Sequence, residues 1–399
     1  MTPQFRRALE YFLLVAAGIV GAHLLSMPGT SDVGIWLAWI QAMREHGLVA
    51  GYALSNTDYM PLSFVFLRAM QEIAGFLHVG DFIVLKSGML FFAFLSAAVL
   101  AWWRRNVLLA AAFLWALLLN SAALGYLDVL YLPPLLLSLR AVERTQPAAA
   151  AFWFTVALSV KWQPALIAPF LLLHAVRQFQ ENSIPQLFPR LMLGAAAGAI
   201  PLLACFGLEP ILRSLASALS HRALSFNALN LPWLVQWALA GDLPSGVPRF
   251  FLLPPPLAVL LFRTAFLATF VFFLGRLWRR ARSFSDLLWL AAGGSTAYFT
   301  LNIGVHENHL FMAMILLFAL AGTGSRLGTT LAVGYAAMAN LNLVLFYGID
   351  GHTPLLGGGT GPLAGIACLV NLALLICCVA RERRVGTANH SCPRATGAS

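Results

Sequence analysis

The sequence predicts an all-α integral membrane protein, a polytopic bundle of about twelve transmembrane helices. The 399 residues are 60% hydrophobic and only 10% charged, with a mean hydropathy of +0.80. A water-soluble domain carries about 25% charged residues, so this much apolar surface needs lipid as its solvent. Apolar runs of roughly 17–22 residues, the length that crosses a hydrocarbon core of ~30 Å, recur along the chain. We therefore expect one transmembrane domain over residues 1–399 and no separate soluble domain.

Arginine clusters predict which side of the membrane the ends of these runs face. The formal net charge is +10, and most arginines stand in short segments between apolar runs, as in cytoplasmic loops. This distribution explains the charge without a nucleic-acid-binding surface. Between two such clusters the chain must cross an even number of times, so both termini are expected in the cytoplasm. The clusters are Arg6/Arg7, Arg104/Arg105, Arg140/Arg144, Arg177/Arg190, Arg276/Arg279/Arg280/Arg282, Arg326 and Arg381/Arg383/Arg384.

The even number of crossings also predicts pairs of helices that turn on the outer side. The helices on either side of the second turn have only about 13–14 residues each, which is too few to span a bilayer without local thinning or a sunken loop. The four predicted turns lie at residues 122–125, 161–164, 305–309 and 348–361.

Two large outer loops are predicted, at residues 28–81 and 208–253. The first includes the apolar run 61–78, because the required even number of crossings between arginine clusters places that run on the outer side. Its polar side chains fall on one helical face, and the run 32–46 likewise gathers apolar side chains on one face. Both are therefore expected to be helices that lie in the membrane interface. Residues 381–399 are expected to form a disordered cytoplasmic tail.

Polar side chains at the membrane edge are costly, so each is a candidate functional residue. Asp32 stands at the start of the first interfacial helix. There it either caps the helix N-terminus or serves as a general base whose pKa is raised by partial desolvation. Asp58 and Tyr59 precede the second interfacial helix. They form either an ordinary turn before Pro61 or part of a site.

Lys161 lies in the segment Lys161-Trp162-Gln163-Pro164, at the predicted break between two short helices. Interrupted helices at membrane depth are tolerated mainly where they line a cavity. A cation beside an outward-facing cavity suits a phosphate or pyrophosphate group. The alternative is a lysine that only reaches the outer surface with its ammonium group.

The segment His306-Glu307-Asn308-His309 forms the third outer turn. Its histidines are three residues apart, whereas the zinc-protease pattern separates them by four. Two histidines and a carboxylate suit a metal ion or a phosphate, and a plain polar turn is the alternative. A divalent metal is permitted but no spacing demands one. The five cysteines show neither metal-ligand nor disulfide spacing, and the sequence requires no cofactor.

Together these motifs resemble those of the GT-C superfamily of membrane glycosyltransferases, in particular the dolichyl-phosphate-glucose glucosyltransferases of the N-glycan pathway and their bacterial relatives. Asp32 matches the acidic residue of the family's first outer loop. The segment Asp58-Tyr59-Met60-Pro61-Leu62 resembles Asp-Tyr-Pro-Pro-Leu, and Lys161-Trp162-Gln163-Pro164-Ala165-Leu166 resembles Lys-Gln-x-Ala-Leu. The turn Val305-His306-Glu307-Asn308-His309-Leu310 is similar to Val-His-Glu-Lys, with Asn308 in place of the lysine. A weaker likeness to bacterial relatives lies in the Asn- and Trp-containing stretch 224–233.

The resemblance implies a hexosyltransferase that uses a polyprenyl-phosphate-sugar donor, a lipid-linked or glycan acceptor and membrane lipid. It further implies a multi-pass protein of a bacterial inner membrane, with its active site facing the periplasm or exterior. Asp32 would be the catalytic base. The expected residues for donor phosphate and substrate are Lys161, His306, Glu307, His309, Asp58, Tyr59 and Gln163, and those for stacking on sugar are Trp36, Trp39, Trp162 and Trp233.

Two other functions stay open at this stage. Short, broken helices are also typical of transporters and flippases, here for a lipid-linked saccharide, although the two halves show no internal repeat. An O-antigen ligase or polymerase would use lipid-pyrophosphate donors and outer-loop arginines, for which Arg213, Arg222 and Arg249 are available. Transfer of sugar without transport of solute is the observation that separates an enzyme from a transporter.

Overall fold

A computed structural model describes residues 2–179, 184–220, 223–240, 254–279, 283–355 and 360–388. Within these ranges the chain is almost entirely helical, which confirms the predicted fold class of an all-α membrane protein. The helices are α1 (Pro3–Leu24), α2 (Ser31–His46), α3 (Leu48–Leu54), α4 (Pro61–Leu77), α5 (Asp81–Arg104), α6 (Val107–Leu118), α7 (Leu132–Glu143), α8 (Pro147–Leu158), α9 (Ala168–Gln178), α10 (Ile184–Phe206), α11 (Leu208–Leu219), α12 (Leu231–Ala240), α13 (Pro256–Arg279), α14 (Phe284–Leu301), α15 (Phe311–Ala321), α16 (Arg326–Tyr347) and α17 (Thr360–Ala388).

Six of the described helices are long and apolar enough to cross a membrane: α1, α5, α10, α13, α16 and α17. Large apolar side chains project from them without protein contacts that would cover them. Phe12 is 67% exposed, Leu193 is 68% exposed and Leu260 is 63% exposed. Apolar surface on this scale is stable only in lipid. The chain is therefore embedded in a membrane.

The remaining helices at predicted span positions are shorter or less apolar, and α15 lies in the interior of the bundle. Helix α15 packs against α14 and α16, and every residue of α15 is buried. Three of the predicted turns are irregular: a π-helical turn at Leu119–Ala123, a 3₁₀ turn at Gln163–Ile167 and another at Glu307–Leu310. Irregular backbone at membrane depth is tolerated when protein surrounds it. The number of helices that cross the membrane, predicted as about twelve, stays a prediction.

Local sequence explains where several helices begin. Pro61 and Pro147 are the first residues of α4 and α8, a position where the missing N–H has no intrahelical partner to lose. Ser283 and Asp286 form a reciprocal capping box at the start of α14, which satisfies two otherwise unpaired backbone N–H groups. Gly47 has a positive φ of 81° between α2 and α3, a conformation that costs glycine little.

Helices α2 and α4 lie at residues predicted to be helical, 32–46 and 61–78, while their place in the membrane interface stays a prediction; α3 was not predicted. The loop predicted at 208–253 contains α11, the strand β1 (Ser225–Phe226) and α12. Strand β1 pairs in parallel with β2 (Val305–His306). Helix α17 continues to Ala388, within the tail predicted as disordered. Arg222, Arg249, Arg280, Arg282 and residues 356–359 and 389–399 lie outside the described residues.

Arginines and the irregular turns lie at opposite ends of the short helices. Helix α7 follows a 3₁₀ turn that contains Asp128 and carries Arg140 in its last turn. The Arg140 guanidinium lies 3.8 Å from the ring centroid of Trp102, and that of Arg104 lies 3.8 Å from the ring centroid of Trp103. Stacked arginine and tryptophan of this kind are typical of a membrane–water interface.

Candidate active site

Four separated segments meet in one cavity of about 460 Å³. They come from the start of α2, the turn before α4, the break after α8 and the turn before α15, so the cavity gathers all four of the predicted motifs. The wall also includes residues from the stretch 217–227 and from the end of α16. The lining side chains are Asp32, Ile35, Trp36, Trp39, Ser55, Asn56, Thr57, Asp58, Tyr59, Tyr126, Lys161, Ser217, Phe226, Asn227, His306, Glu307, Asn308 and Tyr347.

Asp32 stands in the first turn of α2, and backbone contacts fix that turn. The Thr30 N–H donates to Leu124 O at 3.0 Å, and the Gly29 N–H donates to Asp350 O at 3.0 Å. Burial raises the pKa of Asp32 to about 6, opposed by Lys161 and reinforced by Asp128 and Asp58. A carboxylate with this pKa is ionised at neutral pH yet basic enough to accept a proton in a transition state.

Tyr59 joins two of the predicted motifs through the backbone. The residues around it pair with the segment before Lys161, because the Met60 N–H donates to Val160 O at 3.2 Å and the Leu62 N–H donates to Ser159 O at 2.9 Å. The Tyr59 hydroxyl accepts a hydrogen bond from Lys161 Nζ at 3.1 Å. Burial, followed by the charge of Asp128, raises the pKa of Tyr59 well above its ordinary value. Tyr59 is therefore a phenol with a proton to donate.

Lys161 forms a buried ion pair with Asp128. Its Nζ lies 2.9 Å from Oδ1 and 3.2 Å from Oδ2 of that carboxylate, and Asn308 Nδ2 donates to Oδ2 at 2.8 Å. Burial lowers the pKa of Lys161, but Asp128, Asp58 and Asp32 outweigh burial and raise it overall. The cation expected beside the cavity is thus present, charged and held in place.

Asp128 was absent from the sequence prediction. The signal was available, since Asp128 is an acidic residue inside the apolar run 124–137, and an ionisable group in such a run is a functional candidate. The spacing of Asp128 and Lys161 in the sequence, by contrast, does not indicate that they pair.

Glu307 is buried at the cavity wall, where Tyr126 donates its hydroxyl proton to Oε1. Burial raises the pKa of Glu307 to about 7, with the Tyr126 hydrogen bond opposing and Asp32 reinforcing the shift. Close to neutral pH this carboxyl is therefore divided between its protonated and ionised forms. Tyr126 and Tyr347, whose hydroxyl accepts from Asn227 Nδ2 at 3.1 Å, are further cavity residues that the sequence prediction missed.

His306 lines the cavity and is held by the small sheet. Its imidazole stacks on Phe226, with ring centroids 4.5 Å apart and planes inclined by 7°. The parallel pairing of Ser225 with Val305 and of Phe226 with His306 sets this contact. Of the stretch 224–233, Phe226 and Asn227 line the cavity and Trp233 does not.

Several predicted residues support the wall instead of lining the cavity. Gln163 accepts from the Tyr131 hydroxyl at 3.2 Å. His309 Nδ1 lies 3.4 Å from the Tyr298 hydroxyl. Trp162 Nε1 donates to Ser214 Oγ at 3.1 Å, and Ser214 Oγ donates in turn to Tyr59 O at 2.9 Å.

The predicted tryptophans divide into two groups. Trp36 and Trp39 line the cavity, with ring centroids 4.7 Å apart. Trp233 is 0% exposed and stacks on Trp237 in a separate apolar cluster. Trp36 is only 2% exposed, whereas Trp39 is part-exposed. A buried indole has no face for a sugar, so of these three the described structure leaves Trp39, and not Trp36 or Trp233, as a stacking candidate.

The metal prediction has no structural test. In the part of the chain that the structure describes, no three His, Cys, Asp or Glu side chains are grouped so that they could hold a metal ion. A divalent ion shared with a substrate phosphate is a separate arrangement, which such a grouping does not address.

No protein-family model matches the chain, and no curated protein matches it. The proposed function therefore rests on the geometry and chemistry of the cavity.

Proposed function

We propose that this protein is a membrane glycosyltransferase that moves a hexose from a polyprenyl-phosphate donor to a lipid-linked or cell-envelope acceptor on the non-cytoplasmic face. One observation carries the proposal: a carboxylate with a pKa of about 6, Asp32, shares a cavity with a lysine-backed phenol and the part-exposed indole of Trp39. A base, donors for an anion and indole faces are the groups that sugar transfer from a phosphate requires.

The proposed reaction needs one proton transfer and one displacement. The acceptor hydroxyl gives its proton to Asp32, and its oxygen forms the new bond to the anomeric carbon. The bond from that carbon to the donor phosphate oxygen breaks, and the lipid phosphate leaves with the electron pair. Attack opposite the leaving group inverts the anomeric configuration. The lipid phosphate is already a stable anion, so no acid has to protonate it.

Lys161 and Tyr59 are proposed to stabilise that phosphate together. The Lys161 ammonium donates to Asp128 and to the Tyr59 hydroxyl oxygen, which leaves the phenolic proton for the phosphate. A phenol that accepts from an ammonium is a stronger donor, because successive hydrogen bonds polarise one another. Asp128 would fix the ammonium and keep it paired before the donor binds.

A second cavity suits the lipid chain of the donor. It has a volume of about 530 Å³ and lies between α4, α5, α7 and α8, and all of its lining side chains are apolar. Leu62, Leu130 and Val160 on its wall stand within three residues of Tyr59, Asp128 and Lys161. An isoprenoid chain in this cavity would end beside the proposed phosphate position.

The pH dependence of transfer is expected to report Glu307. An ionised Glu307 adds a negative charge beside Asp32 and the donor phosphate, so the protonated form is expected to be the active one. Since burial raises the pKa of Glu307 to about 7, kcat/KM should fall as the pH rises through 7. In Glu307→Gln the group is neutral at every pH, and this alkaline decline should disappear. Steady-state rates between pH 5 and 9 test this, and an unchanged alkaline limb in the variant would contradict it.

The experiment that tests the function uses purified protein in liposomes with a radiolabelled polyprenyl-phosphate hexose and a lipid-extract acceptor. The expected result is label in the acceptor and release of an equal amount of polyprenyl phosphate. Transport of the intact donor lipid or of free sugar, without transfer, would overturn the proposal in favour of a transporter or flippase. A parallel arm with a polyprenyl-pyrophosphate donor should show no transfer, and preference for that donor would instead indicate a ligase or polymerase.

A further inference from the structure

The 25 Lys and Arg residues include only two lysines, Lys86 and Lys161. Lys161 belongs to the cavity. Lys86 lies in α5, is 0% exposed and has no part in the proposed reaction. Burial of an ammonium is costly unless its donors are satisfied, so the partners of Lys86 indicate what it does.

Among the residues that the structure describes, Lys86 Nζ donates its hydrogen bonds to backbone carbonyls. It donates to Leu24 O at 3.3 Å, to Ala123 O at 2.9 Å and to Met27 O. Leu24 is the last residue of α1, and Ala123 is the last residue of the π-helical turn. The last carbonyls of a helix lack intrahelical donors and carry the negative end of its dipole. One ammonium thus satisfies the ends of two helices and ties them together.

The two segments that Lys86 joins carry the main groups of the cavity. The chain that leaves α1 leads to Thr30 and Asp32, and the chain that leaves the π-helical turn leads to Tyr126 and Asp128. The segments also contact each other directly beyond Lys86. The Thr30 N–H donates to Leu124 O at 3.0 Å, and Trp36 Nε1 donates to Gly125 O at 2.9 Å.

We propose that Lys86 is a positioning residue, which holds the segment bearing Asp32 in register with the segment bearing Tyr126 and Asp128. The inference rests on the proposed function for its catalytic meaning, because Asp32 is the base only if sugar is transferred. Lys86 touches neither the cavity nor any reacting atom. It acts by fixing the separation between the base and the groups that face the phosphate.

The ammonium suits this task better than the alternatives. Its three N–H groups diverge from one nitrogen and rotate together, so they reach carbonyls from two segments, whereas a guanidinium spreads its donors in a plane. Methionine has a similar length and no donor, and glutamine retains two N–H donors without charge. Displacement of a reacting group by about 1 Å costs on the order of 10²-fold in rate. The position of Asp32 is therefore expected to be disturbed in Lys86→Gln and disturbed more in Lys86→Met.

The first test does not depend on sugar transfer. A hydrophobic carbodiimide reacts with protonated carboxyl groups, so labelling of Asp32 as a function of pH, quantified by mass spectrometry, follows its protonation. The wild type should show a midpoint near the pKa of about 6. In Lys86→Met the start of α2 is no longer held, so water should reach Asp32. Because burial is what raises the pKa of Asp32, the midpoint of its labelling should fall by one pH unit or more. Lys86→Gln should show a smaller fall.

Ser96→Ala is the matched control. Ser96 is a buried polar residue of the same helix whose hydroxyl donates to Phe92 O at 2.6 Å, and that bond stays within α5. This variant should keep both the labelling midpoint and the transfer rate of the wild type. A change as large as that of Lys86→Met would show that any polar loss in α5 disturbs the site, and would overturn the inference.

The second test measures transfer. Lys86→Met should lower kcat roughly 10²-fold with less than a threefold change in the donor KM, because the phosphate-facing groups stay in place. If the wild type transfers no sugar, the proposed function fails, while the labelling series still decides the role of Lys86. If Lys86→Met does not fold, the comparison rests on Lys86→Gln. A folded Lys86 variant with the wild-type labelling midpoint and kcat would overturn the inference.

Discussion

Asp32→Asn is expected to reduce sugar transfer by roughly 10²–10⁴-fold, the contribution of a positioned general base. Asparagine has nearly the same shape but cannot accept the proton of the acceptor hydroxyl at neutral pH. The Thr30 and Gly29 backbone hydrogen bonds that fix the start of α2 do not involve the carboxylate, so the variant should fold as the wild type does. Radiolabel transfer under single-turnover conditions, together with the melting temperature, measures both expectations.

Asp81→Asn is the matched control for this variant. Asp81 also stands in the first turn of a helix, α5, and its carboxylate accepts from Arg44 at 2.9 Å without lining the cavity. It should therefore retain transfer. In the wild type, kcat/KM should also decline as the pH falls through about 6, because protonated Asp32 is no base. Near-wild-type transfer by Asp32→Asn would remove Asp32 from the mechanism.

Lys161→Met is expected to have the second-largest effect, on both stability and transfer. It leaves Asp128 as a buried carboxylate with only the Asn308 amide as its described donor. Loss of one partner of a buried ion pair costs about 3–5 kcal/mol of unfolding free energy. Tyr59 would then donate to the phosphate without the ammonium behind it. A loss of about 1.5–3 kcal/mol, the contribution of one hydrogen bond to a charged group, corresponds to roughly a 10–100-fold lower kcat/KM. Denaturant unfolding and initial transfer rates measure the two effects.

The double variant Lys161→Met/Asp128→Asn separates the two effects. It removes both charges, and Asn at 128 is still able to accept from the Asn308 amide, so most of the stability should return. Transfer should stay low, because Tyr59 has lost the ammonium behind it. Recovery of transfer along with stability would show that the pair is only structural and that the phosphate is held elsewhere in the cavity.

The Lys161–Asp128 ion pair and the acidic side chains of the cavity together affect how an anionic substrate binds. Asp32, Asp58 and Glu307 face the cavity, and Asp128 offsets the charge of Lys161. An anionic donor would therefore meet less repulsion when Glu307 carries a proton. The raised pKa of Glu307 makes that state available near neutral pH, and the expected fall of kcat/KM at alkaline pH follows from it.

Much of the architecture could be predicted from sequence because it depends on local composition. Hydropathy identified the long helices, and the breaks at residues 122–125, 161–164 and 305–309 coincide with irregular turns. Interfacial candidates at residues 32–46 and 61–78 are helices. The helix α3 escaped prediction because its seven residues are too few for a periodic pattern.

The candidate site was predictable only in part, for a physical reason. A costly polar residue inside an apolar run is visible in the sequence by itself, and this criterion found Asp32, Asp58, Lys161 and Glu307. Contacts between distant segments leave no such trace. Lys161 meets Asp128 across 33 positions, and Tyr126 meets Glu307 across 181.

The sequence by itself determined that this is a helical membrane protein and which of its segments bear costly polar groups, because lipid penalises each such group where it stands. Only the tertiary structure decided what those groups do together. It pairs Lys161 with Asp128, seats His306 on Phe226, buries Trp233 away from the cavity and sets Lys86 under the start of the Asp32 helix. An ion pair, a ring stack and hydrogen bonds from one ammonium to several backbone carbonyls each require short distances between segments that are far apart in the sequence. The packing of the helices sets these distances.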